Sequence, residues 1–242
     1  MDTVLILAGG LGKRLSRIAR GRPKAMMEVG GHPFLEWLLI ELRRQGFDDL
    51  VLCTGYRGEQ IEEYFADGSR WNVRIRYSRE MQALGTGGAL KLASRLARGE
   101  NAVALNGDSF LYADLAALRK LHVSSNAAVT LALACVSDTS RFGRVETDGN
   151  GRVTEFAEKE AGGQSRGRPG HINAGVYVLS RAALDAIPET GKVSLEYDVL
   201  PLLLTSPRGI YALSFDGFFV DMGLPNDYMA LAENPGRIMW GS

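Results

Sequence analysis

Apolar and polar positions follow two rhythms in the first half of the chain. Thr3 to Leu7, Leu50 to Cys53, Val73 to Tyr77 and Ala102 to Leu105 are short β-branched or leucine-rich runs that read as strands. Between them apolar residues recur at helical spacing: Phe34, Leu35, Trp37, Leu38 and Leu42, stopped by Gly46, then Glu59 to Phe65, then Gly87 to Leu96. Strands alternating with amphipathic helices predict β-α-β units on a parallel sheet. From about Asn126 strands dominate: Ala128 to Val136, Arg144 to Glu146, Val153 to Phe156 and Ile172 to Leu179, with Asp148-Gly149-Asn150-Gly151 as a hairpin turn. Helices thin out to Arg181 to Ile187, Leu195 to Leu203 and Asp227 to Glu233. No linker or repeat interrupts the pattern. It predicts one domain over 1–242, with halves 1–125 and 126–242 sharing one mixed sheet, and a mobile loop at Glu160 to Gly170.

Composition narrows the classes. The 28 Lys and Arg balance 28 Asp and Glu, so the chain lacks the basic excess that a nucleic-acid partner demands. Two cysteines cannot form a disulfide framework, and no run approaches ~18 apolar residues, so no membrane partner is expected. The start, Met1-Asp2-Thr3, enters an apolar strand without a basic leader, which predicts a cytoplasmic location. Cys53 and Cys135 fall in apolar strands and are expected to be buried, inert thiols. His32, His122 and His171 have no metal-ligand spacing and are expected on the surface or in loops. The 29 glycines exceed the roughly 7 % of ordinary proteins, and an excess marks places where backbone approaches something closely.

One such place follows the first strand: Leu7-Ala8-Gly9-Gly10-Leu11-Gly12-Lys13-Arg14-Leu15. It is not a Walker A loop, because Gly12-Lys13 is followed by Arg14. It also fails the dinucleotide fingerprint, because Leu15 stands where the last glycine belongs. The physics of both motifs still applies, since glycines let backbone N–H groups face an anion at the carboxyl edge of a parallel sheet. Lys13, Arg14, Arg17, Arg20, Arg22 and Lys24 then follow with no acidic residue before Glu28, which points to a phosphate site. Asp108 and Asp221 each stand at a strand end, and paired carboxylates beside phosphates suit Mg²⁺.

The loop and the following Pro23-Lys24-Ala25-Met26 resemble the signature of the sugar-1-phosphate nucleotidyltransferases. The resemblance continues through Leu84-Gly85-Thr86-Gly87-Gly88, Asn106-Gly107-Asp108, Arg141-Phe142-Gly143, Phe156-Ala157-Glu158-Lys159, Asn173-Ala174-Gly175, Ser194-Leu195-Glu196-Tyr197-Asp198 and Asp221-Met222-Gly223-Leu224-Pro225, in family order over nearly the whole chain. Ala25, Met222 and Leu224 depart from the commoner residues. The resemblance implies a Rossmann-like three-layer α/β/α nucleotidyltransferase (glycosyltransferase-A-like) fold with a mostly parallel mixed sheet, in which 1–125 binds the nucleotide and 126–242 the sugar phosphate.

It also implies roles. Arg14 and Lys24 would be catalytic, the first on the triphosphate, the second between the α-phosphoryl group and the sugar phosphate. Leu7, Ala8, Gly9, Gly10, Gly12, Lys13, Glu80, Gly85, Thr86, Asn106 and Gly107 would bind the nucleotide, with Glu80 reading the base. Gly143, Glu158, Lys159, Asn173 and Ala174 would face the sugar phosphate, and Asp108 and Asp221 would share Mg²⁺. GTP is the favoured nucleotide, since a carboxylate accepts from guanine N1–H and N2–H₂, and D-glycero-α-D-manno-heptose 1-phosphate the favoured sugar. Mannose 1-phosphate, or thymidylyl and uridylyl transfer to glucose or N-acetylmuramate 1-phosphate, are alternatives. A non-catalytic nucleotide-sugar sensor would dispense with Arg14, Lys24, Asp108 or Asp221, and all four are present. A nicotinamide oxidoreductase is opposed by Leu15 and by the Cys53-Thr54 strand end. The active form is expected to be a monomer or homodimer.

Overall fold

The structure, a computed structural model, describes residues 2–10, 12–19, 21–157 and 168–239, and for Lys13, Ser16, Arg17, Ala157 and Met239 the backbone alone. In chain order the strands are β1 (Thr3–Leu7), β2 (Glu28–Val29), β3 (His32–Pro33), β4 (Asp49–Thr54), β5 (Arg74–Arg79), β6 (Asn101–Asn106) and β7 (Ser109–Leu111). They continue with β8 (Val129–Val136), β9 (Arg144–Thr147), β10 (Val153–Ala157), β11 (Gly170–Ser180), β12 (Ile210–Phe215) and β13 (Phe219–Asp221). Nine of them form one sheet in the order β10-β9-β11-β6-β1-β4-β5, with β8 on β11 and β12 on β8. β6, β1, β4 and β5 are parallel, and β11 joins them antiparallel to β6. Strands from both halves therefore share one sheet, as the texture of the sequence predicts.

The two faces of β1 explain the layers. Val4 and Ile6 point to a core shared with the helix Phe34–Arg44 and with Phe65, while Leu5 points to a core shared with Ala89, Leu90 and Ala93 of the helix Gly85–Ser94. Helices on both faces of a sheet buried on both sides give the expected three-layer architecture. No described helix is long and apolar enough to cross a membrane.

Several elements depart from the linear reading. The strand β12 alternates Ile210 and Ala212 inward, and the helix Leu115–Ser124, capped by Asp114 on Ala117 N–H, buries Leu115, Leu118 and His122; the linear pattern shows neither. His122 is buried rather than superficial, because Thr130 and Asn101 satisfy its two ring nitrogens at 2.9 and 3.2 Å. Desolvation lowers its pKa to about 4. Cys135, near the end of β8, is exposed, contrary to expectation, whereas Cys53 is fully buried and its thiol is pushed upward by desolvation. Most of the Glu160 to Gly170 loop lies outside the described residues.

Candidate functional site

The chain leaves β1 for β4 on one side and returns through the helix Gly85–Ser94 to β6 on the other. The carboxyl end of β1 is thus the switch point of the sheet, where open α/β folds place ligands. Gly107 N–H donates to Leu7 O at 2.9 Å, and a side chain at Gly107 would meet that carbonyl at 2.7 Å, so glycine lets the turn after β6 close on the loop after β1.

A cavity of about 1010 Å³ opens there. That exceeds the ~300–1000 Å³ of typical single-ligand pockets and suits two substrates. Leu7, Ala8, Gly9, Gly10, Gly12, Arg14, Lys24, Glu80, Gly85, Thr86, Asn106, Gly107, Asp108, Gly143, Asn173, Ala174 and Asp221 all line it, which brings the sequence-predicted residues into one space. The side chain of Lys13, and all of Glu158 and Lys159, lie outside the described residues. Arg141, Tyr177, Lys192 and Glu196 also line the cavity. Arg141 and Glu196 belong to motifs already noted, but a linear pattern does not show which way they point.

Lys24 and two carboxylates form the centre. Lys24 Nζ donates to Asp108 Oδ2 at 2.6 Å and lies 3.6 Å from Asp221 Oδ1. The short ribbon β7–β13 produces this meeting: Asp221 pairs with Ser109, and Met222 N–H donates to Asp108 O at 3.0 Å. Desolvation, followed by repulsion from Asp108, raises the Asp221 pKa, with Lys24 opposing. Two carboxylates converging on one cation are a donor set that fits a divalent metal. Among the described residues no group of three or more His, Cys, Asp or Glu side chains is placed to hold a metal ion; around a pair of carboxylates, substrate phosphate and water would complete the coordination.

The wall around Gly85 is built on a segment of the second half. Gly87 and Gly88 donate their N–H groups to Val193 O at 2.9 and 3.2 Å, and Val193 N–H donates to Leu84 O at 2.8 Å. These two glycines accommodate a segment of the second half, and their donors are taken up within the protein. Gly85 has φ +77, and a side chain there would meet Val193 O at 2.4 Å. Thr86 Oγ1 donates to Glu196 Oε2 at 2.6 Å and accepts from Leu195 N–H at 2.8 Å. Glu80 is half-buried, with its pKa raised by desolvation. Its Oε2 accepts from Leu84 N–H at 2.9 Å, while Oε1 abuts Gly9.

The opposite wall rests on a bulge in β11, where the pairing with β8 shifts register between Asn173 and Tyr177. Gly175 takes φ +76 there, and its N–H donates to Asn173 Oδ1 at 3.1 Å. Asn173 Nδ2 donates to the Tyr177 hydroxyl, and that hydroxyl donates to Glu196 Oε1. Beside this wall the Oδ1 of Asn106 is buried and has no hydrogen-bond partner among the described residues.

The chain is similar to known proteins over nearly its whole length. The family model described as nucleotidyl transferase matches residues 3–235. A D-glycero-alpha-D-manno-heptose 1-phosphate guanylyltransferase of Aneurinibacillus thermoaerophilus is 40 % identical over 225 residues, covering 93 % of this chain and 94 % of the relative. A protein of the same name from Campylobacter jejuni is 37 % identical, covering 93 % and 96 %. A mannose-1-phosphate guanylyltransferase of Mycobacterium tuberculosis is 38 % identical, but this chain spans 62 % of its length. The crystal structure of HddC from Yersinia pseudotuberculosis complexed with GMP-PN superposes with a TM-score of 0.81 at 30 % identity, covering 96 % of this chain and 99 % of that one.

Proposed function

The chain belongs to the nucleotidyl transferase family, and we propose that its cavity joins the guanylyl group of GTP to a heptose 1-phosphate. It is a sugar-1-phosphate nucleotidyltransferase, and a guanylyltransferase by the same relationship. The observation that carries the proposal is the placement of Lys24 between Asp108 and Asp221 in a cavity walled by both halves.

In the reaction a phosphate oxygen of the sugar 1-phosphate attacks the α-phosphorus of GTP. A new P–O bond forms, the bond from the α-phosphorus to the bridging oxygen breaks, and pyrophosphate leaves with the electron pair. Two anions must meet, so the protein's work is positioning and charge compensation. The backbone from Leu7 to Gly12, with Lys13, would cradle the triphosphate, and Arg14 would stabilise the departing pyrophosphate. Lys24 would hold the α-phosphoryl group toward the incoming phosphate. Asp108 and Asp221 would hold Mg²⁺, which when bound would polarise the α-phosphate. Asn106, Gly107, Gly85 and Thr86 would shape the nucleoside pocket. Gly143, Asn173 and Ala174, with Glu158 and Lys159, would receive the sugar phosphate.

Glu80 supports the preference for guanine. Its Oε1 remains for a base after Leu84 takes Oε2, and a carboxylate rewards the adjacent N1–H and N2–H₂ donors of guanine, a pair that uracil and thymine lack. The names of the 40 % and 37 % relatives support heptose 1-phosphate as the acceptor. We further infer that the enzyme works in the cytoplasm, where GTP is made, as a monomer or homodimer. The test is a matrix of pyrophosphate release, with five nucleoside triphosphates against heptose, mannose, glucose, N-acetylglucosamine and N-acetylmuramate 1-phosphates. The proposal expects the highest kcat/KM for GTP with heptose 1-phosphate. No turnover with GTP would overturn it.

A further inference from the structure

Arg141 stands in the loop between β8 and β9, next to Phe142 and Gly143 on the second-half wall of the cavity. Its guanidinium forks onto Asp227 of the helix Pro225–Glu233, with Nη1 donating to Oδ1 at 3.2 Å and Nη2 donating to Oδ2. A guanidinium carries five donors, so this fork leaves three N–H groups uncommitted to Asp227. The side chain is 38 % exposed and shares the cavity lining with Asn173, Phe219 and Asp221.

The distribution of charge gives this position its meaning. Among the described residues the cavity is lined by four cations, Arg14, Lys24, Arg141 and Lys192, and by four carboxylates, Glu80, Asp108, Glu196 and Asp221. Lys24 is already committed between Asp108 and Asp221. Arg14 belongs to the loop after β1, and Lys192 adjoins Val193, which holds the base-side turn. Arg141 alone of the four rises from the wall of Gly143 and Asn173. On the sugar-phosphate reading the attacking phosphate reaches the carboxylate pair along this wall, and among the described residues Arg141 is the cation that the wall presents to it.

We propose that Arg141 binds the phosphate of the incoming sugar 1-phosphate, with Asp227 holding its guanidinium in place. The inference rests on the sugar-phosphate reading above. Arginine suits the task because one edge of its planar fork can serve a carboxylate while another serves a phosphate, which an ammonium cannot do with the same geometry. The competing account is a brace that merely ties the β8–β9 loop to the helix after β13.

Steady-state pyrophosphate release with both substrates varied separates the two accounts. Arg141→Ala is expected to raise KM for the sugar 1-phosphate by about tenfold or more, the equivalent of one lost charge-assisted contact, while KM for GTP moves less than about twofold. Arg141→Lys should recover part of the loss. Asp227→Asn should raise the same KM by a smaller factor, because the amide keeps an acceptor but loses the charge. Melting temperatures are recorded for each variant, and Arg141→Gln replaces the alanine variant if truncation prevents folding. A brace predicts equal loss of melting temperature in the Arg141 and Asp227 variants with an unchanged sugar KM, and that result overturns the inference. An equal rise in both KM values overturns it too. Failure of the unaltered protein to turn over any sugar 1-phosphate would instead defeat the reaction assignment itself.

Discussion

Lys24 reaches Asp108 at 2.6 Å, so an ammonium occupies the space between the carboxylates that a divalent cation would claim. Lysine and a bound metal would therefore compete for the same negative charge before substrates arrive. Lys24→Met is expected to lower kcat by about 100-fold, while Mg²⁺ binding without nucleotide, followed by titration calorimetry, becomes no weaker. Weaker Mg²⁺ binding in that variant would contradict the competition.

Asp108→Asn tests the metal assignment from the other side. One carboxylate remains, and Mg²⁺-dependent release of pyrophosphate should fall by at least ~100-fold with an unchanged circular dichroism spectrum. Because burial and Asp108 raise the Asp221 pKa, metal affinity in the unaltered protein should decline as pH falls, starting above the ordinary aspartate range. Asp108→Asn removes the repulsion and should move that decline to lower pH. A pH-independent Mg²⁺ affinity would sink the argument.

Glu80→Gln keeps an acceptor for Leu84 N–H but loses charge toward the base. A hydrogen bond to a charged group contributes about 1.5–3 kcal/mol, so KM for GTP should rise roughly 10- to 100-fold. The preference for GTP over UTP should narrow in competition assays. An undiminished preference would assign base reading to the main chain.

Gly85→Ala should destabilise the protein strongly. The residue sits at φ +77, and its added carbon would meet Val193 O at 2.4 Å, a contact that only backbone movement relieves. A loss of more than about 2 kcal/mol in urea unfolding is expected, with KM for GTP raised.

His122 predicts a pH dependence of stability. In the unfolded chain the imidazole takes a proton near 6.5, whereas the folded state resists protonation until about 4. Within that window the unfolded state binds more protons, so stability falls as pH drops from about 6.5 to 4, by up to about 3 kcal/mol. Above the window the contribution is constant. Urea midpoints measured across this range should flatten in His122→Gln, and an equally steep decline in that variant would remove His122 as the cause.

Local pattern carried the elements that place the site. Thr3 to Leu7, the glycines after it and the strands ending at Asn106 and Asp221 are legible because period, breaker residues and charge all coincide within short windows. Long-range contacts escaped it. Nothing near Gly87 and Gly88 in the sequence shows that Val193, over a hundred positions away, claims their N–H groups. His122 reads as an isolated polar residue until the fold brings Asn101 and Thr130 to it, and Cys135 reads as buried because the run around it is apolar. The strand β12 does not stand out in the linear pattern although Ile210 to Phe215 alternates, because the flanking Gly209 and Asp216 read as turn residues.

The three-residue ribbon β7–β13 also determines where the chain tolerates change. Side chains on a strand alternate faces, so one residue inserted among Phe219, Val220 and Asp221 would turn the second carboxylate away from Lys24 while leaving the nine-stranded sheet intact. The long stretch between the two strands, by contrast, can change length wherever it is exposed without moving either aspartate. An insertion in an exposed loop there leaves the carboxylate pair in place, whereas one inside this small pairing takes it apart.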